Sequence, residues 1–462
     1  MAVPETYLED ASGYKGKASD LFVPATEAEL IEVLAKARAS RTPVTVSGAG
    51  TGVVGGRCAH GGWVISMEKF RRLEIHSGYA IAGAGVLLSE IQSAAAQQGQ
   101  LYAPDPTENS SAIGGNIAAN ASGSRSFRYG DTRRHVRALR VVRMDGTVLE
   151  LRRGQPVPFD VPAIPMPPTT KHSAGYWLKP GMDYLDLFIG SEGTLGIVTE
   201  AELQLLAAPK HLLTGVIFFT GDEAALAAVE AWRGIPKLQM LEYIDAPSLD
   251  LLRSRFEDIP REARAALLIE QELDREDSDD IDAWADRLIE SGSLDEASWF
   301  AATAADRERF RKFRHALPEL VNDTVRKNGY LKQNSDYAVP VEQNGEMLRI
   351  YRERLEAELP GRYVIFGHIG DAHVHINILP ASQEEFDRGK ALMVDLAREA
   401  VRLGGTVGAE HGLGKRKRHL LELQYSPADM EAMRAVKSRF DPGWLLGRDT
   451  LFAAPAMLPS EG

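Results

Sequence analysis

The chain has one cysteine, Cys58, so no intrachain disulfide is open to it and packing must supply its stability, as suits a reducing compartment. It has no run of about 18 apolar residues, which excludes a membrane-spanning helix. Basic residues are outnumbered, 53 Lys and Arg against 65 Asp and Glu, and the net charge of -12 excludes a general affinity for nucleic acid or anionic lipid. Any Arg or Lys that converge on one spot are then local anion binders. The first ten residues lack the basic start and apolar core of a signal peptide. Long internal repeats and low-complexity segments are missing too. A cytoplasmic protein is expected, with peripheral contact at the inner membrane left open. What is present is an ordinary globular composition, 44% apolar and 26% charged, over 462 residues; that is too long for one core, so two or three domains are expected.

Chemistry concentrates in Phe366–Asn377, which holds three of the eleven histidines. From Ala372 onward polar and apolar residues alternate: His373, His375 and Asn377 share one face and Val374, Ile376 and Ile378 the other, a half-buried strand. His368 precedes His375 by an odd separation, which on one straight strand would put them on opposite faces. The Gly370-Asp371 pair offers a turn that brings both imidazoles to one side. Two neutral imidazoles beside a carboxylate suit a divalent transition metal. Glu410 is available in Gly404–Gly414, where Gly405, Gly408, Gly412 and Gly414 surround a Glu410-His411 pair and let the backbone bend tightly.

Upstream, Thr26–Ala39 shows helical periodicity behind a Thr N-cap with Glu29 placed for a capping box, and leads into a strand, Pro43–Val46. In the Ser47–Gly56 loop, Gly50, Gly52 and Gly55 spell G-x-G-x-x-G. A dinucleotide fingerprint needs a helix next, whereas this chain continues into another loop and a strand ending at Ser66. Successive backbone N–H groups forming an anion nest for a pyrophosphate fit better. Leu101–Pro106 and the small-residue run Ser110–Gly123 follow, then Arg125 and Arg128. Two strands, Ala138–Arg143 and Thr147–Leu151, are joined through Asp145-Gly146, a hairpin signal. Small residues let a large flat ligand lie against backbone, and amides read its polar edge.

The glycine loop, the Pro104-Asp105-Pro106 segment, the Gly114–Gly123 run and Leu187–Glu200 resemble the FAD domain of the vanillyl-alcohol oxidase/p-cresol methylhydroxylase superfamily. The His and Glu-His stretches resemble its FAD-linked oxidase C-terminal domain. Together they resemble the FAD-dependent D-2-hydroxyacid dehydrogenase branch, with its D-lactate dehydrogenases, glycolate oxidase flavoprotein subunits and D-2-hydroxyglutarate dehydrogenases. The resemblance spans nearly the whole chain and implies an α+β fold. A two-part FAD-binding domain would occupy 1–208, an antiparallel-sheet, ferredoxin-like substrate and metal-binding cap 209–424, and a segment returning to the FAD domain 425–462. It implies that Gly48, Ala49, Gly50, Thr51 and Gly52 hold the FAD pyrophosphate. Pro104, Ser111, Gly114, Gly115, Asn116, Asn120 and Gly123 would line the flavin, with Glu192, Gly193 and Ile197 closing the other side. Relatives with covalent flavin carry His where this chain has Thr51, so non-covalent FAD is implied; His60 is the imidazole nearest the loop.

The Pro-rich segment from Gly154 to Pro180 reads as an irregular surface connection. Beyond Ala208-Pro209 come a strand, Leu213–Phe219, an amphipathic helix, Asp222–Trp232, and a strand, Ala265–Glu270, as in an antiparallel sheet covered by helices. The acidic run Asp274–Asp282 reads as a solvated loop or helix start. Arg314, in Arg314-His-Ala-Leu-Pro318, and Lys332 match substrate-binding positions of the resemblance, and a guanidinium or ammonium suits a carboxylate. The implied reaction puts the carboxylate of a small 2-hydroxy acid near Arg314 and Lys332, beside Asn377. Its hydroxyl would sit on a divalent metal, Zn, Mn or Fe, held by His368, His375 and Glu410. His411 is the expected general base, with hydride passing to flavin N5 and a 2-oxo acid as product. His373 stands where the branch usually has Asn, either as a third imidazole at the metal or as a donor to substrate. Gly447–Thr450 departs from the branch's Asn-Pro-Gly-Lys. Three matters stay open: a dicarboxylic substrate using Arg311 or a further loop residue, a flavin subunit of a larger oxidase, and a homodimer. A quinone, an electron-transfer flavoprotein or a cytochrome is the expected electron acceptor.

Overall fold

The computed structural model describes residues 2–275 and 279–455. Its first helix, Glu27–Ala39, begins where the sequence places it: Thr26 Oγ1 accepts the Glu29 N–H at 3.2 Å. Glu29 in turn accepts from Ala25 N–H at 2.7 Å, so two otherwise orphaned amides are satisfied and the helix start is fixed. Leu30, Leu34 and Ala37 pack on a three-stranded parallel sheet ordered Asp20–Phe22, Trp63–Ser66, Val44–Ser47. The glycine loop joins two parallel neighbours, Val44–Ser47 and Trp63–Ser66, with no helix between them.

A five-stranded antiparallel sheet follows, ordered Leu73–His76, Tyr79–Gly83, Ile197–Gln204, Val136–Val142, Val148–Arg152. Its last hairpin turns at Asp145-Gly146. Gly146 takes φ 87° and Asp145 Oδ1 accepts the Thr147 N–H at 2.9 Å, an arrangement a β-branched residue would strain. The small-residue run forms a short helix, Ile113–Ala119, ending on Asn120 in the left-handed region.

The third sheet has seven strands, all pairs antiparallel, ordered Trp299–Phe300, His211–Phe219, Ala265–Leu273, Leu238–Asp245, Tyr363–His368, His373–Ile378, Gln333–Asn334. Strand alternation sorts its side chains into two cores. Val216 and Phe218 meet Phe310, Phe313 and Leu317 of the helix Ala304–Lys327. Ile217 and Phe219 meet Val229 and Trp232 of the helix Asp222–Trp232. Phe313 is fully buried, so Phe313→Ala removes about 3–5 kcal/mol of folding stability. The architecture is α+β, with helices on both faces of an antiparallel sheet.

Two expectations change. The latter part of the Pro-rich connection is not on the surface, since Lys171, Ala174, Tyr176 and Leu178 are all buried, covered by the Glu410 segment and the C-terminal helix Pro427–Phe440. Of the acidic run, residues 276–278 lie outside the described residues, and Asp279 opens the helix Asp279–Glu290. After Pro427–Phe440 the chain packs on the first domain: Phe440 meets Phe188 edge-on, and Val44 exchanges backbone hydrogen bonds with Leu445 and Gly447.

Candidate active site

Strands Tyr363–His368 and His373–Ile378 form a tight hairpin through Ile369–Asp371, with Ala372 at φ 50°. Its register sets His368 opposite His373 and Phe366 opposite His375. Residues directly opposite one another share a face, so all three imidazoles emerge on the same side. A Cβ at Gly367 would stand 2.9 Å from His375 Cδ2, so glycine leaves room for that ring. The hairpin is not half-buried as its alternation suggests. His373 and Asn377 are 0% and 2% exposed because the Glu410 segment closes over the polar face.

Glu410 Oε1 lies 3.0 Å from His368 Nε2 and 3.3 Å from His375 Nε2. Its other oxygen is saturated, accepting from Ser122 Oγ at 2.6 Å, Gly123 N–H at 3.0 Å and Lys171 Nζ at 3.0 Å. One oxygen is therefore held for the domain contact and the other is presented to the histidines. Behind them, His368 Nδ1 meets Glu242 Oε1 at 2.5 Å, and His375 Nδ1 lies 3.1 Å from the Ser335 carbonyl. Such outer partners fix the tautomer that aims Nε2 inward, as in metal-binding histidines. Ligand atoms of the group converge within 4.8 Å of one another, so the donor set fits a divalent cation. Burial opposes charge on His368, yet the Glu242 and Glu410 carboxylates raise its pKa to about 9. Burial likewise opposes ionisation of Glu410, but His368 and Lys171 hold it well below the usual carboxylate range.

Asp336, fully buried, anchors the segment Ala409–His411. It accepts the N–H groups of Ala409, Glu410 and His411 at 3.1, 3.2 and 2.9 Å. Its Oδ1 lies 3.3 Å from His411 Nδ1, and His411 stacks on His375 with centroids 5.1 Å apart. Burial pushes the His411 pKa down to about 4, with Asp336 opposing the fall.

A single cavity of about 460 Å³ runs from the glycine loop to this cluster. Gly48, Ala49, Gly50, Thr51, Gly52, Ser111, Gly114, Gly115, Asn116, Glu192, Gly193 and Ile197 line it. Among the described residues, none of the backbone N–H groups from Gly48 to Gly52 donates within the protein, as an anion-binding loop requires. Ser111 Oγ and Asn116 Nδ2 are buried without partners among the described residues. Free donors beside a cradle of glycines fit a dinucleotide cofactor.

Three expected cofactor residues sit elsewhere. Asn120 spends its amide on Asp131 and the Arg133 N–H. Gly123 serves Glu410, and a Cβ there would fall 1.9 Å from the Asp105 carbonyl oxygen. Pro104 is buried, and Pro106 and Thr107 reach the cavity instead. Glu192 lines the cavity while accepting Leu413 and Gly414 N–H groups at 2.8 Å each, which ties the segment after Glu410 to the side of the cavity formed by 191–197.

Lys332, Asn377 and His411 all line the cavity. Lys332 has no partner for Nζ among the described residues, and burial lowers its pKa to about 8. Arg314 stands behind the site: its Nε donates to Glu242 at 3.0 Å and Nη2 to Thr107 at 3.3 Å. Arg311 is half-exposed, pairs with Glu308 one turn away on its own helix, and is not among the residues that line the cavity. Sequence reasoning missed Lys171, Glu242 and the anchoring role of Asp336. Only Glu242 left a usable signal, a carboxylate in a strand, Leu238–Asp245, whose every residue is buried.

Residues 208–450 match the family described as FAD linked oxidases, C-terminal domain, and residues 19–152 match FAD binding domain. The chain is 32% identical to D-lactate dehydrogenase of Anaerostipes hadrus, over 96% of this chain and 92% of that protein. It is 30% identical to glycolate oxidase subunit GlcD of Bacillus subtilis (strain 168), over 97% and 92%, and 28% identical to D-2-hydroxyglutarate dehydrogenase of Stutzerimonas stutzeri (strain A1501), over 98% and 97%. A solved alkyldihydroxyacetonephosphate synthase shares the fold with a TM-score of 0.65 at 17% identity, over 92% of this chain and 75% of that one. A cofactor cradle joined to a His-Glu cluster is thus matched by sequence along almost the full length, and the chain belongs to the FAD-linked oxidases as an FAD-dependent oxidoreductase.

Proposed function

We propose that the protein oxidises a D-2-hydroxy acid of the D-lactate or glycolate type to the 2-oxo acid, using non-covalent FAD and a divalent metal, Zn, Mn or Fe, on His368, His375 and Glu410. The observation that carries this reading is the continuity of one cavity from the free amides of Gly48–Gly52 to Lys332, His411 and Glu410. Thr51 offers no imidazole for covalent attachment, and His60 is engaged by Tyr14 at 2.9 Å and Asp449 at 3.1 Å. When bound, FAD supplies a two-electron acceptor and the metal a Lewis acid that lowers the pKa of the substrate hydroxyl.

The protein's own groups do the rest. Lys332 receives the substrate carboxylate, for which its partly buried ammonium has no competing partner among the described residues. His411, neutral at working pH, takes the hydroxyl proton on Nε2, the nitrogen on the Glu410 side, and Asp336 beside Nδ1 offsets the charge gained. Arg314 and Glu242 orient His368 from behind. Among the described residues Lys332 is the lysine that lines the cavity, and Glu108 and Glu319 line it too, which favours a monocarboxylic substrate over a dicarboxylic one.

The test is anaerobic mixing of FAD-loaded protein with D-lactate, glycolate, L-lactate and D-2-hydroxyglutarate while the visible flavin band is followed. Bleaching by D-lactate or glycolate and not by L-lactate is expected. Bleaching by D-2-hydroxyglutarate alone would replace the monocarboxylic reading, and no bleaching by any of the four would overturn the activity.

A further inference from the structure

We infer that His373 is a third imidazole ligand, so that the cation is held by His368, His373, His375 and Glu410 together; this rests on the metal-assisted reading above. His373 is paired across the hairpin with His368 and precedes His375 by two residues on the same face. Its ring lies 5.4 Å from that of His368 and 4.4 Å from that of His375, centroid to centroid. One ligand atom from each of the four residues falls within 4.8 Å of those of the other three.

The independent observation is that His373 is 0% exposed and, among the described residues, neither ring nitrogen has a hydrogen-bond partner. Asp336 Oδ1 is 3.2 Å from Nε2 but is not aligned for a hydrogen bond. An orphaned buried donor or acceptor costs about 1–3 kcal/mol. Coordination of a cation by one ring nitrogen removes that cost, and Asp336 is the carboxylate placed to orient the ring. The other convergent group, Asp336, His375 and His411, is a weaker candidate because Asp336 already accepts three backbone N–H groups.

Two chemical consequences follow. Three nitrogens and one oxygen favour zinc or cobalt over manganese, which prefers oxygen donors. A fourth protein ligand would leave fewer open positions on the cation, so Lys332 would be the group that holds the substrate carboxylate.

The test is X-ray absorption on the FAD-loaded full chain reconstituted with Zn(II) or Co(II), counting imidazoles per metal, with metal affinity measured by competition against a chelator. Three imidazoles are expected in the wild type and two in His373→Asn and His373→Gln, with affinity lowered at least about 10-fold and FAD content unchanged. One metal per chain with two imidazoles in the wild type, or unchanged affinity in both variants, overturns the assignment and leaves the proposed function standing. A wild type that takes up no divalent metal overturns both this assignment and the metal's part in the proposed function. The wild-type count needs no variant to fold.

Discussion

Lys332 carries the clearest quantitative consequence. Burial lowers its pKa from 10.5 to about 8, a penalty on the ammonium of about 3 kcal/mol. A substrate carboxylate at Nζ supplies the missing counter-charge, and a hydrogen bond to a charged group contributes a net ~1.5–3 kcal/mol. Lys332→Met should therefore lower kcat/KM by about 10- to 100-fold, mostly through KM. The pH dependence has a definite sign. In the free enzyme the ammonium loses its proton as pH rises through about 8, so kcat/KM falls on the alkaline side. Bound carboxylate holds the proton on, so kcat stays level over the same range. Lys332→Arg keeps its charge to far higher pH and should abolish the alkaline limb even if the bulkier fork binds less well. The assay is anaerobic stopped-flow reduction of the flavin by D-lactate from pH ~6 to ~10. An unchanged kcat/KM in Lys332→Met, or the same alkaline limb in Lys332→Arg, would refute the role.

His411→Ala should lower kcat by about 100- to 10,000-fold while leaving the flavin absorbance intact, and normal turnover would remove His411 as the base. With its pKa pushed to about 4, the acid limb of kcat/KM in the wild type should fall near that pH, below which the ring is already protonated. Asp336→Asn can keep a carbonyl oxygen on the three backbone N–H groups, but it removes the charge and puts an NH2 where Oδ1 faces His373 and His411, and should cost about 1–3 kcal/mol in thermal or urea denaturation. Although burial alone would raise it, the Asp336 pKa is held below the ordinary carboxylate range by His411 and His373; its stabilisation is thus complete at neutral pH and is lost as pH falls through the folded-state value. A cation must displace the proton that Glu242 and Glu410 hold on His368, so apparent metal affinity should climb with pH until about 9 and then level. Chelator competition that returns one affinity at every pH would contradict this.

What could be read in the sequence was whatever depends on neighbours along the chain. Thr26 and Glu29 mark a helix start, Asp145-Gly146 a hairpin, and the strand after the glycine loop rules out a dinucleotide fingerprint, because each is settled within a few residues. The His hairpin was legible for the same reason: a short turn and strand alternation are enough to bring three imidazoles to one face. The supporting groups were not. Lys171 reaches Glu410 across 239 positions, and Glu242 reaches His368 across 126, so neither partnership could be read from neighbours along the chain. Arg314 shows the limit from the other side. Its residue type suits a carboxylate, and one is there, but it belongs to Glu242. The burial of Lys171–Leu178 is also a tertiary fact, since a Pro-rich segment reads as exposed until another domain covers it.

The central claim is that one cavity unites a flavin acceptor with a metal-assisted proton abstraction. It is tested most directly by stripping the divalent metal from the protein under conditions that retain FAD, mixing with D-lactate anaerobically, and then restoring Zn(II), Mn(II) or Fe(II) to the same sample. The account predicts a flavin band that persists without metal and bleaches when one of these ions is returned. Bleaching by metal-free protein at the full rate would contradict it.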